Sequence, residues 1–244
     1  MSVGLTLATT RRILTQLRHD RRTVAMLVLV PTVLLVLLRF VFNDERAFSA
    51  AAPALLAVFP FAIMFIVTSI TTLRERLTAT LERLMTMPIG KLDLLFGYAI
   101  AFGLLAAVQV LVAAGVSLTW LGLEIDGSVW LLVIIAILDA LLGTALGLFV
   151  SAFARTEFQA VQFMPAIVMP QILLCGLFAA RDSMTPVLEW LSDVMPLSYA
   201  VDALTQVTHS ADVDPTLVRN LVIVAGCVLL ALVLGAATLR RRTP

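Results

Sequence analysis

Residues 74–90 read RERLTATLERLMTMPIG, from Arg74 to Gly90, and place three arginines and two glutamates within ten residues of a chain that is 61% hydrophobic. Apolar side chains recur at Leu73, Leu77, Leu81, Leu84 and Met85, the spacing of a helix with one apolar face. The segment is too charged to lie inside hydrocarbon, yet the chain on either side is apolar for long enough to cross a bilayer, about 20 residues. It therefore separates two membrane spans, and the rest of the chain is laid out around it.

The composition agrees. Mean hydropathy is +1.03, and charged residues make up 14% of the chain against about 25% in soluble domains. The fold class expected is an all-α integral membrane protein. Windows of about 20 apolar residues give six spans: Thr23–Phe42, Phe48–Thr72, Leu94–Thr119, Ser128–Phe153, Gln159–Ala180 and Asn220–Leu239. The first is longer than the ~7–15 residues of a signal-peptide core, so residues 1–22 are expected to be retained.

Charge orients the spans. Arg11, Arg12, Arg18, Arg21, Arg22, Arg74, Arg76, Arg83, Lys91, Arg155 and Arg240 to Arg242 fall on one side. The other side holds Arg46, Arg181 and Arg219, with Arg39 near the outer end of the first span. It also holds ten acids: Asp44, Glu45, Glu124, Asp126, Asp182, Glu189, Asp193, Asp202, Asp212 and Asp214. The excess of Lys and Arg marks the cytoplasmic face, so both termini are expected to be cytoplasmic.

Two domains follow. Residues 1–22 read as a leader helix on the inner membrane surface, with Val3, Leu7, Thr10, Leu14 and Leu17 as its stripe. Residues 23–244 form the six-span unit, with a cytoplasmic helix at 73–88 and an external segment at 181–218. Within that segment VLEWLSDV (Val187–Val194) and LSYAVDAL (Leu197–Leu204) are too short to cross. Two readings stand: half-membrane, re-entrant helices carrying Trp190, Pro196 and Tyr199, or a small folded cap.

Catalytic signatures are missing. There are two histidines, His19 and His209, and no HExxH, CxxC, GxSxG or GxxxxGK[ST] pattern, so neither a catalytic site, a metal site nor a phosphate loop is expected on this chain. Cys175 and Cys227 sit in apolar runs and read as small buried hydrophobes. Asp139 is the one acid deep in a span. A charge there costs on the order of 2.5–3.5 kcal/mol, so it should face the bundle, where it is either a substrate or proton site or an interhelical clamp sharing a hydrogen bond with Gln109. Phe163 and Gln171 are further candidates for a substrate pathway. Gly143 and Gly147, four apart, favour close helix packing.

At this point the chain resembles a known family. RERLTATLERLMTMPIG is similar to the coupling-helix signature of ABC-2 type transporter permeases, close to R-E-x-x-x-G-T-L-E-x-L-x-x-T-P-I. Arg74, Glu75, Thr80, Leu81, Glu82, Leu84, Pro88 and Ile89 match it, while Ala79 stands where the family commonly has glycine and Met87 replaces a threonine. MPLSYAVDAL (Met195–Leu204) is similar to the family's P-x-x-Y segment, and MPQILLCGLF (Met169–Phe178) resembles its span-five motif. The flavour is that of the DrrB-like drug-export branch.

The resemblance implies the permease subunit of an ATP-driven exporter in a bacterial plasma membrane, paired with a second copy or a sister permease. A separate ATPase subunit would bind ATP and Mg, with no nucleic acid involved. Coupling to that ATPase would fall on Arg74, Glu75, Leu77, Leu81, Glu82, Arg83 and Leu84. The residues on their own terms support this: the leucines can seat in a groove, and the charges can set the docking position. The aliphatic spans suit a drug, antibiotic or lipid. The alternative is a proton-coupled secondary transporter using Asp139; the lack of an evident internal repeat argues against it.

Overall fold

The structure, a computed structural model, describes residues 3–78 and 90–238. Every regular element among them is helical. In chain order these are α1 (Val3–His19), α2 (Arg21–Phe42), α3 (Glu45–Leu77), α4 (Lys91–Thr119), α5 (Val129–Ser151), α6 (Glu157–Phe163), α7 (Met169–Leu174), α8 (Pro186–Val194), α9 (Pro196–His209) and α10 (Pro215–Thr238). Five of them, α2, α3, α4, α5 and α10, are long and apolar enough to cross a membrane. Their ends carry opposite charge patterns, and we refer to a basic end (Arg21, Arg74, Lys91, Arg155) and an acidic end (Asp44, Glu124, Asp126, Asp214).

Local chemistry sets the breaks. Asp20 caps α2, accepting from the Thr23 backbone N–H at 3.1 Å and from its hydroxyl at 2.7 Å, which satisfies orphan donors of the first turn. Asn43 adopts the left-handed conformation, φ 49°, which lets the chain reverse between α2 and α3; asparagine tolerates this better than most residues. Asp44 then caps α3 through the Arg46 N–H at 2.8 Å.

The expected fifth span differs from the others. Between Glu157 and Leu174 the chain runs as α6, a π-helical turn at Met164–Val168, and α7, about 27 Å of helix at 1.5 Å per residue. It leaves helical geometry at Cys175, before the Ala180 boundary read from hydropathy. Pro165 and Pro170 sit at the starts of the π turn and of α7, and each removes a backbone donor and crowds the turn before it, which accounts for the π turn. Gly176, at φ 97°, then turns the chain toward Arg181, a conformation that costs glycine no steric penalty.

The core is the pairing of α3 with α5. Gly143 and Gly147 make it possible: a Cβ at the first would collide with the Phe61 backbone, and one at the second with Thr68 and the Phe65 carbonyl. α10 packs on α5, and α9 lies against α3, α5 and α10. The loop before α5 is pinned to the end of α9 by bonds from Asp126 N to Thr208 O (3.0 Å) and Gly127 N to Val207 O (3.1 Å).

The leader is a helix, but its buried face is not the aliphatic stripe. Thr6, Thr9, Thr10, Ile13 and Leu17 are buried, while Val3 and Leu7 are exposed. α1 docks on α4 where Gly97 leaves no side chain: a Cβ there would lie 2.6 Å from Thr9 Cβ, and the Thr10 hydroxyl donates to the Gly97 carbonyl at 3.2 Å. Hydropathy missed this because small threonines, which self-satisfy by bonding the carbonyl four residues back, pack closely without being apolar.

Candidate functional site at the basic end and in the spans

α3 continues without a break through Leu77, so residues 73–77 belong to the end of a span helix rather than to a separate one beginning at Leu73. Leu73 is buried with Ala154 and Ala160. Leu81, Glu82, Arg83 and Leu84 lie outside the described residues.

Charge at this end is committed within the chain. Arg12 Nη2 on α1 donates to Glu75 Oε2 at 3.0 Å and to the Tyr98 hydroxyl at 2.9 Å, and its guanidinium lies 5.8 Å from the Tyr98 ring centroid. Tyr98 is fully buried and stacks on Phe102. Arg74 forms a two-bonded fork with Glu157 at 2.7 and 2.9 Å, and the Arg74 guanidinium holds the exposed Glu157 carboxyl below its usual range. Arg76 donates to the Ser151 carbonyl at the end of α5. Glu75 and Arg74, which the sequence reading assigned to contact with an outside partner, are bonded within the chain. They tie α1, α3, α4 and α6 together, a role that needed residues distant in sequence to be brought into contact. Leu77, by contrast, is exposed.

A cleft of about 400 Å³ opens beside this junction between α1, the start of α2 and α3, with Ile13, Leu17 and Val67 below and Asp20, Arg74 and Glu75 at its rim.

In the spans, Asp139 on α5 and Gln109 on α4 are fully buried. The shared hydrogen bond expected of them is not formed, because all four of their side-chain polar atoms are without a hydrogen-bond partner. The Gln171 amide donates to the Ile167 carbonyl at 3.1 Å and its oxygen accepts from Leu197 N at 3.4 Å, which stitches the broken helix to the start of α9. Phe163 is half-buried, between the main core and the small cluster around Leu73.

At the acidic end, Pro196 opens α9, where its missing N–H costs nothing. Trp190 on α8 is exposed. The Tyr199 hydroxyl donates to the Asp193 carbonyl at 2.6 Å, and its ring lies 5.5 Å from the Arg181 guanidinium. Arg181 is paired with both Asp193 and Asp202. Sequence reading used Arg181 only to orient the spans; its further signal was a lone arginine with six acids in residues 181–214. Among the described residues no cluster of His, Cys, Asp or Glu could hold a metal ion.

This arrangement defines a polytopic helical membrane protein with a charged junction at one end and a short-helix cap at the other. Residues 4–208 match the ABC-2 type transporter family, and the chain belongs to that family. It is 29% identical over 169 residues to the probable multidrug ABC transporter permease YbhS of Escherichia coli K12, covering 69% of this chain and 45% of that protein. The inner membrane transport permease YhhJ of the same strain is 28% identical over 144 residues, 57% of this chain and 37% of its own. ABC transporter G family member 20 of Dictyostelium discoideum is 24% identical over 156 residues, 64% and 21% respectively. The chain thus spans less than half the length of the curated relatives it matches.

Proposed function

We propose that this chain is the permease subunit of an ATP-driven exporter that moves hydrophobic or amphipathic small molecules out of a bacterial cytoplasm or inner leaflet, with its basic end cytoplasmic. The observation that carries the reading is the junction at Arg12, Glu75, Arg74 and Glu157. It gathers two span helices, the start of the broken fifth run and the leader at the point where the RERLTATLERLMTMPIG segment begins, so force on that segment reaches α1, α3, α4 and α6 together. A separate ATPase subunit, holding ATP and Mg, presses on Leu77, Leu81, Glu82, Arg83 and Leu84. Arg74 and Glu75 brace the segment from behind. Closure of two ATPases then rocks two permeases as rigid bodies. The multidrug names of the relatives favour small drugs or antibiotics, and α8 and α9, with Trp190, Pro196 and Tyr199, close the acidic end.

The test is co-purification with an ATPase encoded beside the chain, followed by ATP hydrolysis in lipid nanodiscs. Leu81→Arg and Glu82→Ala should abolish stimulation of hydrolysis by transported compounds while the thermal unfolding of the permease stays unchanged. Wild-type stimulation in both variants would remove the coupling assignment.

A further inference from the structure

Asp139 has a requirement that nothing in the described structure meets. Its carboxyl group is fully enclosed, and neither oxygen has a hydrogen-bond partner. Arg39, the one cation within the span windows read from the sequence, is committed elsewhere: it donates to Glu45 at 2.9 Å and to the Leu121 carbonyl at 3.1 Å. A carboxylate at this depth needs an opposite charge. Protonation alone does not resolve the problem, because the resulting O–H would still need an acceptor and no protein acceptor lies within hydrogen-bond reach.

The surroundings suggest where a partner would pass. Cys175 belongs to the same buried cluster as Ala136 and Ala140, which flank Asp139 on α5. Cys175 in turn forms a wall of a cavity of about 490 Å³ at the acidic end, lined also by Arg181, Asp182, Asp202, Thr205 and Gln206. That volume lies in the range of sites for drug-sized molecules, roughly 300–1,000 Å³. Arg181 is occupied by Asp193 and Asp202. Gln109 supplies an intermediate level. α4 and α5 meet where Gly103 contacts Leu141. From there Gln109 lies about 9 Å toward the acidic end and Asp139 about 3 Å, at 1.5 Å per residue.

We propose that Asp139 is the anionic contact for a lipophilic organic cation in transit, and that the cavity between Cys175 and Asp202 is the next stage of its route. The inference rests on the exporter reading above and adds the charge of the substrate. Asp139 is enclosed here because this conformation is closed around it, and the carboxylate becomes accessible when the α3–α5 pair separates from the Cys175 segment.

The test uses the permease with its ATPase in proteoliposomes and two ions of the same shape, tetraphenylphosphonium and tetraphenylborate, with neutral Nile red as a third probe. The wild type should bind tetraphenylphosphonium and move it on addition of ATP, and tetraphenylborate should not compete. Asp139→Asn, isosteric with the protonated acid, should weaken tetraphenylphosphonium binding at least tenfold, and Asp139→Glu should restore most of it. Matching thermal unfolding of the variants shows that the fold is intact. Unchanged binding in the folded Asn variant, equal competition by tetraphenylborate, or ATP-driven movement of Nile red alone by the wild type each overturns the cation assignment and leaves the exporter standing. If ATP moves none of the three probes, the exporter reading fails and this inference falls with it.

Discussion

Arg12 on α1 and Glu75 at the end of α3 are joined at 3.0 Å, with side chains 26% and 11% exposed. Sixty-three residues separate them in sequence. The pair makes the leader part of the bundle rather than an appendage, and it places a charge-assisted bond immediately before the proposed coupling segment. Hydrogen bonds to charged groups contribute on the order of 1.5–3 kcal/mol. Arg12→Ala and Glu75→Ala should each lower permease stability by about that amount. A double-mutant cycle should show the two losses to be non-additive, as for residues in contact; additive losses would show that the bond does not persist in the membrane. Thermal unfolding in nanodiscs is the measurement.

Gly143 should not tolerate a side chain. Its Cα faces the Phe61 backbone, which cannot swing aside as a flexible side chain would. Gly143→Leu is expected to destabilise by at least the 1–3 kcal/mol typical of overpacking. Gly226→Ala, where a Cβ meets no atom within 4 Å, should be close to neutral and serves as the control. Equal melting temperatures for the two variants would mean that the α3–α5 contact is looser than described.

Arg181 holds the acidic-end cap together through Asp193 on α8 and Asp202 on α9. Removing it leaves α8 attached by the Ser192 hydroxyl, which donates to the Leu174 carbonyl at 2.8 Å, and by the Tyr199 bond to Asp193. Arg181→Ala should raise amide exchange in residues 186–194 about tenfold, with little change in α3 and α5. A uniform rise across the spans would instead assign Arg181 a role in the whole fold.

Orientation is open to direct labelling. Val187 on α8 and Lys91 at the start of α4 are both exposed and lie at opposite ends of the bundle. In a background lacking Cys175 and Cys227, a membrane-impermeant maleimide should label Val187→Cys in intact cells. Lys91→Cys should react only after permeabilisation. The reverse pattern would invert the proposed direction of transport.

Much of this was legible in the sequence for a plain reason: bilayer thickness imposes a length on every apolar run, and the surplus of Lys and Arg on alternate connections marks one side. Those constraints are local, so five of the six expected spans coincide with single long helices. Family membership was legible too, because residues 74–90 resemble the coupling-helix signature of ABC-2 type permeases, and residues 4–208 match that family. Hydropathy could not reveal how the fifth run breaks at Pro165 and Pro170, since a π turn changes geometry without changing polarity.

The tertiary structure alone decided partners. Whether Glu75 faces a foreign protein or Arg12, whether α1 docks by leucines or by threonines over Gly97, and whether Asp139 finds Gln109 all depend on how helices rotate about their axes. That rotation is set by close packing at Gly97, Gly143 and Gly147, where a missing side chain lets backbones approach. A sequence displays such glycines, but only the assembled bundle shows which surface each receives. Composition therefore determined that this chain spans a membrane, and packing determined, among the described residues, which charges are braced inside it and that Asp139 is buried without a partner.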